Sequence, residues 1–385
     1  MTSRTILAGC TIFDGETCRD DHAMICEGGR VKAVTPLALL ENQESIRRLE
    51  GGLIAPGFVD LQVNGGGGVL FNDGPSVEAI RTICDAHAQF GTTSVLVTLI
   101  TDTPETTNSA IEAAIAAQAA GVPGFFGLHL EGPHLATRRK GAHEAELIRP
   151  MGDLDLELLL SAANRLDHLM ITVAPETVTP AQISALTEAG VVVSLGHSDA
   201  TYETARTATE AGARCVTHLF NAMSPLTHRE AGLVGAALNS GALYTGLIAD
   251  GIHVDRAAIE IALAAKRGPG KIFLVTDAMS TIGTGLASFT LGGRTIHRQR
   301  GRLTLDDGTL AGADLDMAAA VRFMLGLEGM ERIEAMKMAS LYPAMCMRAD
   351  EHRGRLRPGA KADFVHLDPE CRVRSVWRDG IRSGD

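Results

Sequence analysis

Eight short, uninterrupted apolar runs recur along the middle of the chain, and each ends in polar or glycine-containing residues. Continuous rather than alternating apolar character is typical of parallel strands that are buried on both faces. Segments with helical character lie between the runs, for instance at 103–120, 154–166, 180–189 and 256–266. Eight strand and helix units predict an α/β fold closed into a (β/α)8 or TIM barrel. The runs span 57–64, 93–100, 124–131, 169–176, 191–198, 214–220, 245–254 and 271–279.

The two ends of the chain differ from the middle in the pattern of their apolar residues. Residues 1–55 and 355–385 contain short apolar segments separated by Gly, Asp and Pro, which favours short antiparallel strands. We expect these ends to form one small β-sandwich domain, and 56–354 to form the barrel. A further stretch at about 286–312 has turns at Gly292-Gly293 and Asp307-Gly308, and it predicts a β-hairpin insertion. Final helices are expected at about 314–327 and 331–347.

Composition narrows the range of partners. The chain has 385 residues, 35 Lys and Arg against 46 Asp and Glu, and a formal charge of −11 without long runs of one sign. This charge balance gives no sign of the positive charge that would favour binding to nucleic acid or to an anionic membrane surface. Seven scattered cysteines without a C-x-x-C pair favour a reducing compartment. With no recognisable secretion signal, we expect a cytoplasmic protein and no membrane span.

Almost every apolar run ends in a side chain of the type that binds metals or substrates. In TIM barrels the reactive groups lie at the carboxyl ends of the strands, so these side chains share one rim. A single His at such a place is more often a hydrogen-bonded loop anchor, but repetition over eight units favours a site. The polar ends are Gln62 and Asn64, Glu131 and His134, Glu176, His197, His218 and Asn221, Asp250 and His253, and Asp277.

Glu131, His197 and His218 form the best candidate metal set. One carboxylate and two imidazoles leave a coordination position open, which is typical of a catalytic rather than a structural site. Asp277, in VTDAMS, would take a proton from water activated by the metal. Asp277 could instead be the N-cap of the next segment, and we favour the catalytic interpretation.

Several motifs together resemble the N-acetylglucosamine-6-phosphate deacetylases of the amidohydrolase superfamily. They occur in order over essentially the whole chain: PGFVDLQVNGGGG (56–68), GLHLEGPHL (127–135), KGAH (140–143), LGHSDA (195–200), THLFNAM (217–223), HREAGLVGAAL (228–238), IADGIHVD (248–255), VTDAMS (275–280), LAGADL (310–315) and PGAKADFVHLD (358–368). The resemblance implies a distorted (β/α)8 barrel with a small β-sandwich, a homodimer, and hydrolysis of N-acetylglucosamine 6-phosphate to glucosamine 6-phosphate and acetate.

The resemblance also implies roles for individual residues. It makes Glu131, His197 and His218 the metal ligands and Asp277 the catalytic acid and base, with His143 stabilising the oxyanion. Arg229 and His253 are candidates for phosphate contacts, some of which cross the dimer interface in the family. The sugar-phosphate contacts that it implies are Ala142, His143, Asn221, Ala222, Arg229, Asp250, Gly251, Ile252, His253, Leu310, Ala311 and Gly312.

One departure from the wider superfamily concerns the number of metals. Many members carry His-x-His after the first strand, where this chain has Gln62-x-Asn64, and the fourth strand ends in Ala174-Pro175-Glu176 rather than in a lysine. Amides are poor transition-metal ligands, so we expect one divalent ion per chain. Zinc is our first expectation, although iron, manganese and cobalt accept the same ligands.

Other functions remain open at this stage. The chain could deacetylate the galactosamine epimer, or it could hydrolyse a cyclic amide. It could also be a barrel that binds sugar phosphates without catalysis, although a binding role would not need the Glu, His, His and Asp set together.

Overall fold

Eight parallel strands form the centre of the computed structural model, which describes residues 4–40 and 45–384. Neighbours in the sheet follow chain order, so each strand pairs with the next. All eight predicted runs are confirmed as strands, each shorter than or nearly equal to its run. The barrel strands, numbered one to eight below, are Phe58–Val63, Thr92–Ile100, Phe125–Glu131, Leu169–Val173, Val192–Leu195, Cys215–Val216, Tyr244–Leu247 and Ile272–Leu274.

A helix follows each barrel strand, which confirms the predicted (β/α)8 class. The helices cover the barrel, and the largest apolar cluster lies between the two layers, with Val95, Leu128 and Ile171 among its buried members. Several begin at side-chain caps; Thr179, for example, accepts a hydrogen bond from the backbone of Gln182. The helices are Val77–Ala88, Pro104–Ala119, Asp153–Ala163, Pro180–Glu188, Tyr202–Glu210, Gly232–Asn239, Arg256–Ala265 and Met317–Leu325.

The first and eighth strands close the barrel irregularly, at their carboxyl ends. A single parallel bridge joins Val63 to Ala278, and the backbone N–H of Asp277 donates to the Gln62 carbonyl at 3.0 Å. Below it, the Asp60 carboxylate accepts hydrogen bonds from the hydroxyl and backbone N–H of Thr276 at 2.5 and 3.2 Å. The closing seam therefore fixes the chain on both sides of Asp277.

Segments from both ends of the chain build two further sheets. Strand Leu53–Pro56 pairs antiparallel with Phe364–Leu367, so the ends meet in one sheet. A buried apolar cluster, in which the Phe364 and Trp377 rings stack at 5.2 Å, lies between the two sheets. In spatial order, one sheet contains Arg30–Pro36, His22–Glu27, Arg4–Ala8 and Ile46–Arg48, and the other contains Ile381–Arg382, Val373–Arg378, Phe364–Leu367, Leu53–Pro56, Thr11–Phe13 and Cys18–Arg19.

The domain boundaries at 55/56 and 354/355 stay a prediction, and residues 1–3, 41–44 and 385 of the predicted sandwich segments lie outside the described residues. The predicted hairpin at 286–312 was too simple. A four-stranded antiparallel sheet, called the insertion sheet below, occupies this stretch, because the turns at 300–301 and 305–309 add two strands. Its strands are Ser288–Leu291, Arg294–Gln299, Arg302–Thr304 and Leu310–Ala313.

The helix predicted at 331–347 was also wrong as a single element. It divides into Arg332–Ala339 and Leu341–Cys346, because Ser340 adopts φ −135° and ψ −67°, outside the helical region. The remaining elements are a two-stranded ladder of Gly65–Gly66 and Val69–Leu70, and 3-10 turns at Leu37–Leu39, Phe71–Asp73 and Thr137–Arg139. Within the described residues, no helix has the length and apolar character needed to cross a membrane.

Candidate active site

Three predicted metal ligands converge at the carboxyl rim of the barrel. Glu131 ends the third strand, and His197 and His218 lie just beyond the fifth and sixth. Glu131 Oε1 lies 3.3 Å from His197 Nε2 and 3.1 Å from His218 Nε2, and the two nitrogens are 3.0 Å apart. All three side chains are buried. Spacings of this size are those of donor atoms that share one divalent ion.

The hydrogen bonding of His197 supports a cation at this point. His197 Nδ1 lies 2.8 Å from the carbonyl oxygen of Arg139, and because a carbonyl only accepts, Nδ1 must carry the hydrogen. Neutral His197 therefore turns the lone pair of Nε2 towards Glu131 Oε1 and His218 Nε2. Lone pairs that face one another in a buried place need a shared positive charge, so the donor set fits a metal ion.

Charge interactions within this group are strong. Burial opposes ionisation of Glu131, yet the neighbouring His197 and His218 imidazoles hold the pKa of Glu131 well below its usual range. For His218, burial lowers the pKa, but the contact with Glu131 outweighs it and raises the pKa above its ordinary value. The group thus keeps Glu131 ionised, which is the state that binds metals.

His143 is a third imidazole at the same place. Donor atoms of Glu131, His143 and His197 all lie within 4.8 Å of one another, so His143 competes with His218 for the role of ligand. However, His143 Nε2 is 3.8 Å from the nearer oxygen of Glu131, and the backbone N–H of Thr101 donates to His143 Nδ1 at 3.3 Å. When Nδ1 accepts this hydrogen bond, a neutral His143 carries its hydrogen on Nε2 and is a donor rather than a metal ligand. These contacts favour His218 as the third candidate ligand.

Burial keeps His143 uncharged. The ring is 4% exposed, and burial lowers the pKa of His143 to about 3, with a smaller contribution from His197. Thr101 Oγ1 lies 2.8 Å from Nδ1 and helps to fix the ring. A neutral imidazole with a hydrogen on Nε2 is suited to stabilise an oxyanion in the cavity.

Asp277 lies beside the three candidate metal ligands. Its Oδ1 accepts hydrogen bonds from Gln62 Nε2 at 3.1 Å and from Asn64 Nδ2 at 2.7 Å. Burial, with the nearby Glu131 carboxylate, raises the pKa of Asp277 to about 6. A buried carboxyl with a pKa near neutrality is suited to both accepting and donating a proton.

Backbone conformation marks three of these positions as unusual. His197, His218 and Asp277 have φ values of 46°, 29° and 52°, in the left-handed region that residues with a Cβ seldom adopt. Such conformations cost free energy and cluster at functional sites. The turn after each strand thereby aims the side chain into the barrel mouth.

A cavity of about 430 Å³ opens above these groups. Its size suits a phosphorylated monosaccharide. Glu131, His143, His197, His218 and Asp277 lie at one end. Predicted contact residues that line the cavity are Ala142, His143, Asn221, Ala222, His253, Leu310, Ala311 and Gly312.

Gly312 explains part of the cavity's shape. It has φ 66°, and a Cβ added there would lie 2.5 Å from the Met279 side chain and 3.0 Å from the Asp277 carbonyl oxygen. The last strand of the insertion sheet therefore approaches Asp277 closely only because position 312 carries no side chain.

Four predicted contact residues do not line the cavity. Asp250 instead holds His253: its carboxylate accepts from the backbone N–H of Ile252 and of His253, both at 2.8 Å, and lies 2.7 Å from His253 Nδ1. Gly251 and Ile252 complete this turn. Arg229 is exposed in the loop at 225–230. Within the described chain, His253 therefore lines the cavity and Arg229 does not.

Sequence reasoning missed other members of the lining. Asn64 was noted as a polar strand end and as a replacement for a metal ligand, but not as a contact residue. Thr101, which contacts the His143 ring beside the cavity, was not noted at all. Ile100, Met279 and Leu291 form an apolar part of the wall, and Gly308 and Thr309 come from the insertion sheet. Position at a strand end indicated Asn64 and could have indicated Ile100, but apart from the resemblance at 310–315 nothing in the sequence aligns the insertion sheet with the barrel.

Comparison with known proteins identifies relatives of this chain. The amidohydrolase family model matches residues 53–382. The chain is 43% identical over 335 residues to an N-acetylgalactosamine-6-phosphate deacetylase of Shewanella sp. (strain ANA-3), covering 86% of this chain and 84% of that protein. It is 35% identical over 370 residues to the N-acetylglucosamine-6-phosphate deacetylase of Haemophilus influenzae, covering 95% and 96%.

Solved structures agree with the sequence relatives. The N-acetylglucosamine-6-phosphate deacetylase of Pasteurella multocida superposes with a TM-score of 0.95 at 32% identity, over 100% of both chains. An Asp-to-Ala mutant of the Mycobacterium smegmatis enzyme, in complex with N-acetyl-D-glucosamine 6-phosphate, gives a TM-score of 0.90 at 30% identity over 99% of both chains.

Proposed function

The chain belongs to the amidohydrolase family, and from that premise we propose that it deacetylates N-acetyl-D-glucosamine 6-phosphate. The products are D-glucosamine 6-phosphate and acetate. The observation that carries the proposal is the convergence of Glu131, His197 and His218 beside a free carboxyl, Asp277, at the end of a cavity of monosaccharide size. Relatives of both amino-sugar types support a hydrolytic deacetylase.

We propose that Glu131, His197 and His218 hold one divalent ion, with zinc as the first candidate and iron, manganese or cobalt as the alternatives. The family is metal-dependent, and two imidazoles with one carboxylate suit any of these ions. When bound, the ion would polarise the acetamide carbonyl and lower the pKa of the attacking water.

In the proposed reaction, Asp277 transfers the protons and His143 stabilises the oxyanion. Asp277 takes one proton from the attacking water as its oxygen bonds to the acyl carbon. His143 Nε2–H donates a hydrogen bond to the oxygen that becomes negative. Asp277 then gives its proton to the sugar nitrogen as the carbon–nitrogen bond breaks, so the water is divided between acetate and amine.

We propose that His253 and the turn at Asn221 and Ala222, which line the same cavity, supply donors to the sugar phosphate. The Asp250 carboxylate holds His253 in place. Because Arg229 is exposed and outside the lining, we propose a homodimer in which Arg229 of one protomer reaches the phosphate bound in its partner. Arginine binds phosphate through two parallel hydrogen bonds, which suits this role.

The galactosamine epimer is a second candidate substrate. The specific observation in its favour is the 43% identity to the N-acetylgalactosamine-6-phosphate deacetylase of Shewanella sp.. A cytoplasmic location is also proposed: all seven cysteines are free thiols, as a reducing compartment would keep them.

Hydrolysis of four compounds tests the proposal. Acetate release is measured for the two N-acetylhexosamine 6-phosphates and for N-acetylglucosamine without phosphate, and ring opening is measured for dihydroorotate. We expect the glucosamine compound to give the highest kcat/KM. A higher value for the galactosamine epimer would move the assignment to that epimer, and turnover of dihydroorotate alone would refute a deacetylase. An unchanged kcat/KM without the phosphate would contradict the roles of Arg229 and His253.

A further inference from the structure

Asn64 is held more firmly than a cavity-lining side chain requires. Its backbone N–H donates to the Ala278 carbonyl at 2.8 Å, and its carbonyl accepts from the backbone N–H of Phe71 at 2.9 Å. Its side-chain Nδ2 donates to Asp277 Oδ1 at 2.7 Å. Every polar group of Asn64 is thus used except one, the side-chain oxygen Oδ1, which has no hydrogen-bond partner within the described chain.

The orientation of this amide is fixed by chemistry. Asp277 Oδ1 already receives Gln62 Nε2, and an ionised carboxylate only accepts, so the Asn64 atom that faces it must be the NH2 group. Oδ1 of Asn64 therefore lies at the other end of the amide, buried, in a residue that lines the cavity and is 3% exposed.

A buried acceptor without a donor costs free energy, typically about 1–3 kcal/mol. The Glu131 and Asp277 carboxylates offer no hydrogen when ionised. Because Asn64 lines the cavity, a group that enters the cavity is a candidate source of the missing donor.

We propose that Asn64 Oδ1 accepts the N–H of the substrate's scissile amide and so selects amides over esters. The inference rests on the proposed function, because Asp277 must reach the leaving nitrogen in order to protonate it. One amide group of Asn64 then spans the gap, with Nδ2 on Asp277 and Oδ1 facing the N–H of that nitrogen. The contact holds the N–H away from Asp277 and leaves the opposite face of the nitrogen free to receive the proton.

The test compares a substrate that has the N–H with one that lacks it. These are the methyl glycosides of 2-acetamido and of 2-acetoxy glucose 6-phosphate, assayed on the metal-loaded wild type, Asn64→Ala and Gln62→Ala. Gln62→Ala is the control: it also removes one donor from Asp277 Oδ1, together with the 3.0 Å hydrogen bond from Gln62 Nε2 to Glu131 Oε1, but it leaves Asn64 Oδ1 in place. The ratio of the two kcat/KM values on one preparation does not depend on how much of the protein is folded.

We expect the amide-to-ester ratio to fall about tenfold in Asn64→Ala, the size of one hydrogen bond of about 1.4 kcal/mol. In Gln62→Ala, both rates should fall together and the ratio should stay at the wild-type value. An equal ratio in all three proteins would overturn the inference. Wild type that releases no acetate from the amide would instead refute the proposed function.

Two further measurements keep the inference testable if Asn64→Ala turns over too slowly. The 2-methanesulfonamido and 2-methanesulfonyloxy sugar 6-phosphates resist hydrolysis and differ in the N–H, so calorimetry gives the same ratio from dissociation constants. Loss of the sulfonamide preference only in Asn64→Ala supports the contact, and an unchanged preference overturns it. Metal analysis is the second: fewer ions per chain in Asn64→Ala than in wild type would make Oδ1 a metal ligand and refute the assignment.

Discussion

Replacing Asp277 by asparagine separates proton transfer from the architecture around it. Gln62 and Asn64 both donate to one oxygen, Oδ1, at 3.1 and 2.7 Å. An asparagine at position 277 would therefore turn its amide oxygen to these donors and place its NH2 where the second carboxylate oxygen was. The variant keeps the shape and both hydrogen bonds, and it loses only the atom that accepts the proton.

The expected loss follows from the value of a positioned acid and base. General acid and base catalysis contributes about 10²–10⁴-fold, so kcat should fall by at least about 10²-fold, or about 2.7 kcal/mol in the activation barrier. The ligand set is untouched, so metal content should equal that of wild type. Acetate release and metal analysis on one preparation measure both quantities.

A metal-loaded Asp277→Asn enzyme with kcat within about tenfold of wild type would refute this reasoning. Loss of the metal together with activity would contradict it in another way, since Asp277 would then be a ligand. The variant Asn221→Ala changes another residue of the cavity wall, and it should retain metal and raise KM more than it lowers kcat.

Two further predictions concern packing and pH. Gly312→Ala should lower kcat/KM and the melting temperature more than Gly308→Ala does. Both glycines have positive φ, but a Cβ at position 312 would meet the Met279 side chain, whereas a Cβ at position 308 would meet nothing within 4 Å. Burial raises the pKa of Asp60 to about 7, above its value near 4 in the unfolded chain, so the folded chain binds this proton more tightly. The free energy of unfolding should therefore fall as pH rises from about 4 to about 7. Asp60→Asn should reduce the slope of this fall, as measured by thermal melts at several pH values. An identical slope in the variant would contradict the raised pKa.

The barrel could be predicted from the sequence because a strand buried on both faces leaves an unmistakable apolar run. Thr92–Ile100 is one such strand, and eight of its residues are buried. The insertion sheet has no such signal, since Arg294–Gln299 has one side exposed and its length is set by turns. The break at Ser340 does have a signal in Pro343, which lacks the N–H of a continuous helix and is tolerated in the first turn of Leu341–Cys346.

The residues of the site could be predicted more readily than their contacts. Strand-end position placed Glu131, His197 and His218 on one rim, because parallel strands end together. It also favoured His218 over His143, which ends no strand run, but the ring nitrogens that bear on this choice follow only from three-dimensional contacts. The free oxygen of Asn64 likewise follows only from three-dimensional contacts.

Metal stoichiometry of three purified proteins tests the central assignment most directly. We predict about one divalent ion per chain in wild type, about one in His143→Ala, and much less than one in His218→Ala, because His218 Nε2 is 3.1 Å from Glu131 Oε1 and His143 Nε2 is a donor. Retention of the ion by His218→Ala with its loss from His143→Ala would contradict the account, and would give His143 the ligand position.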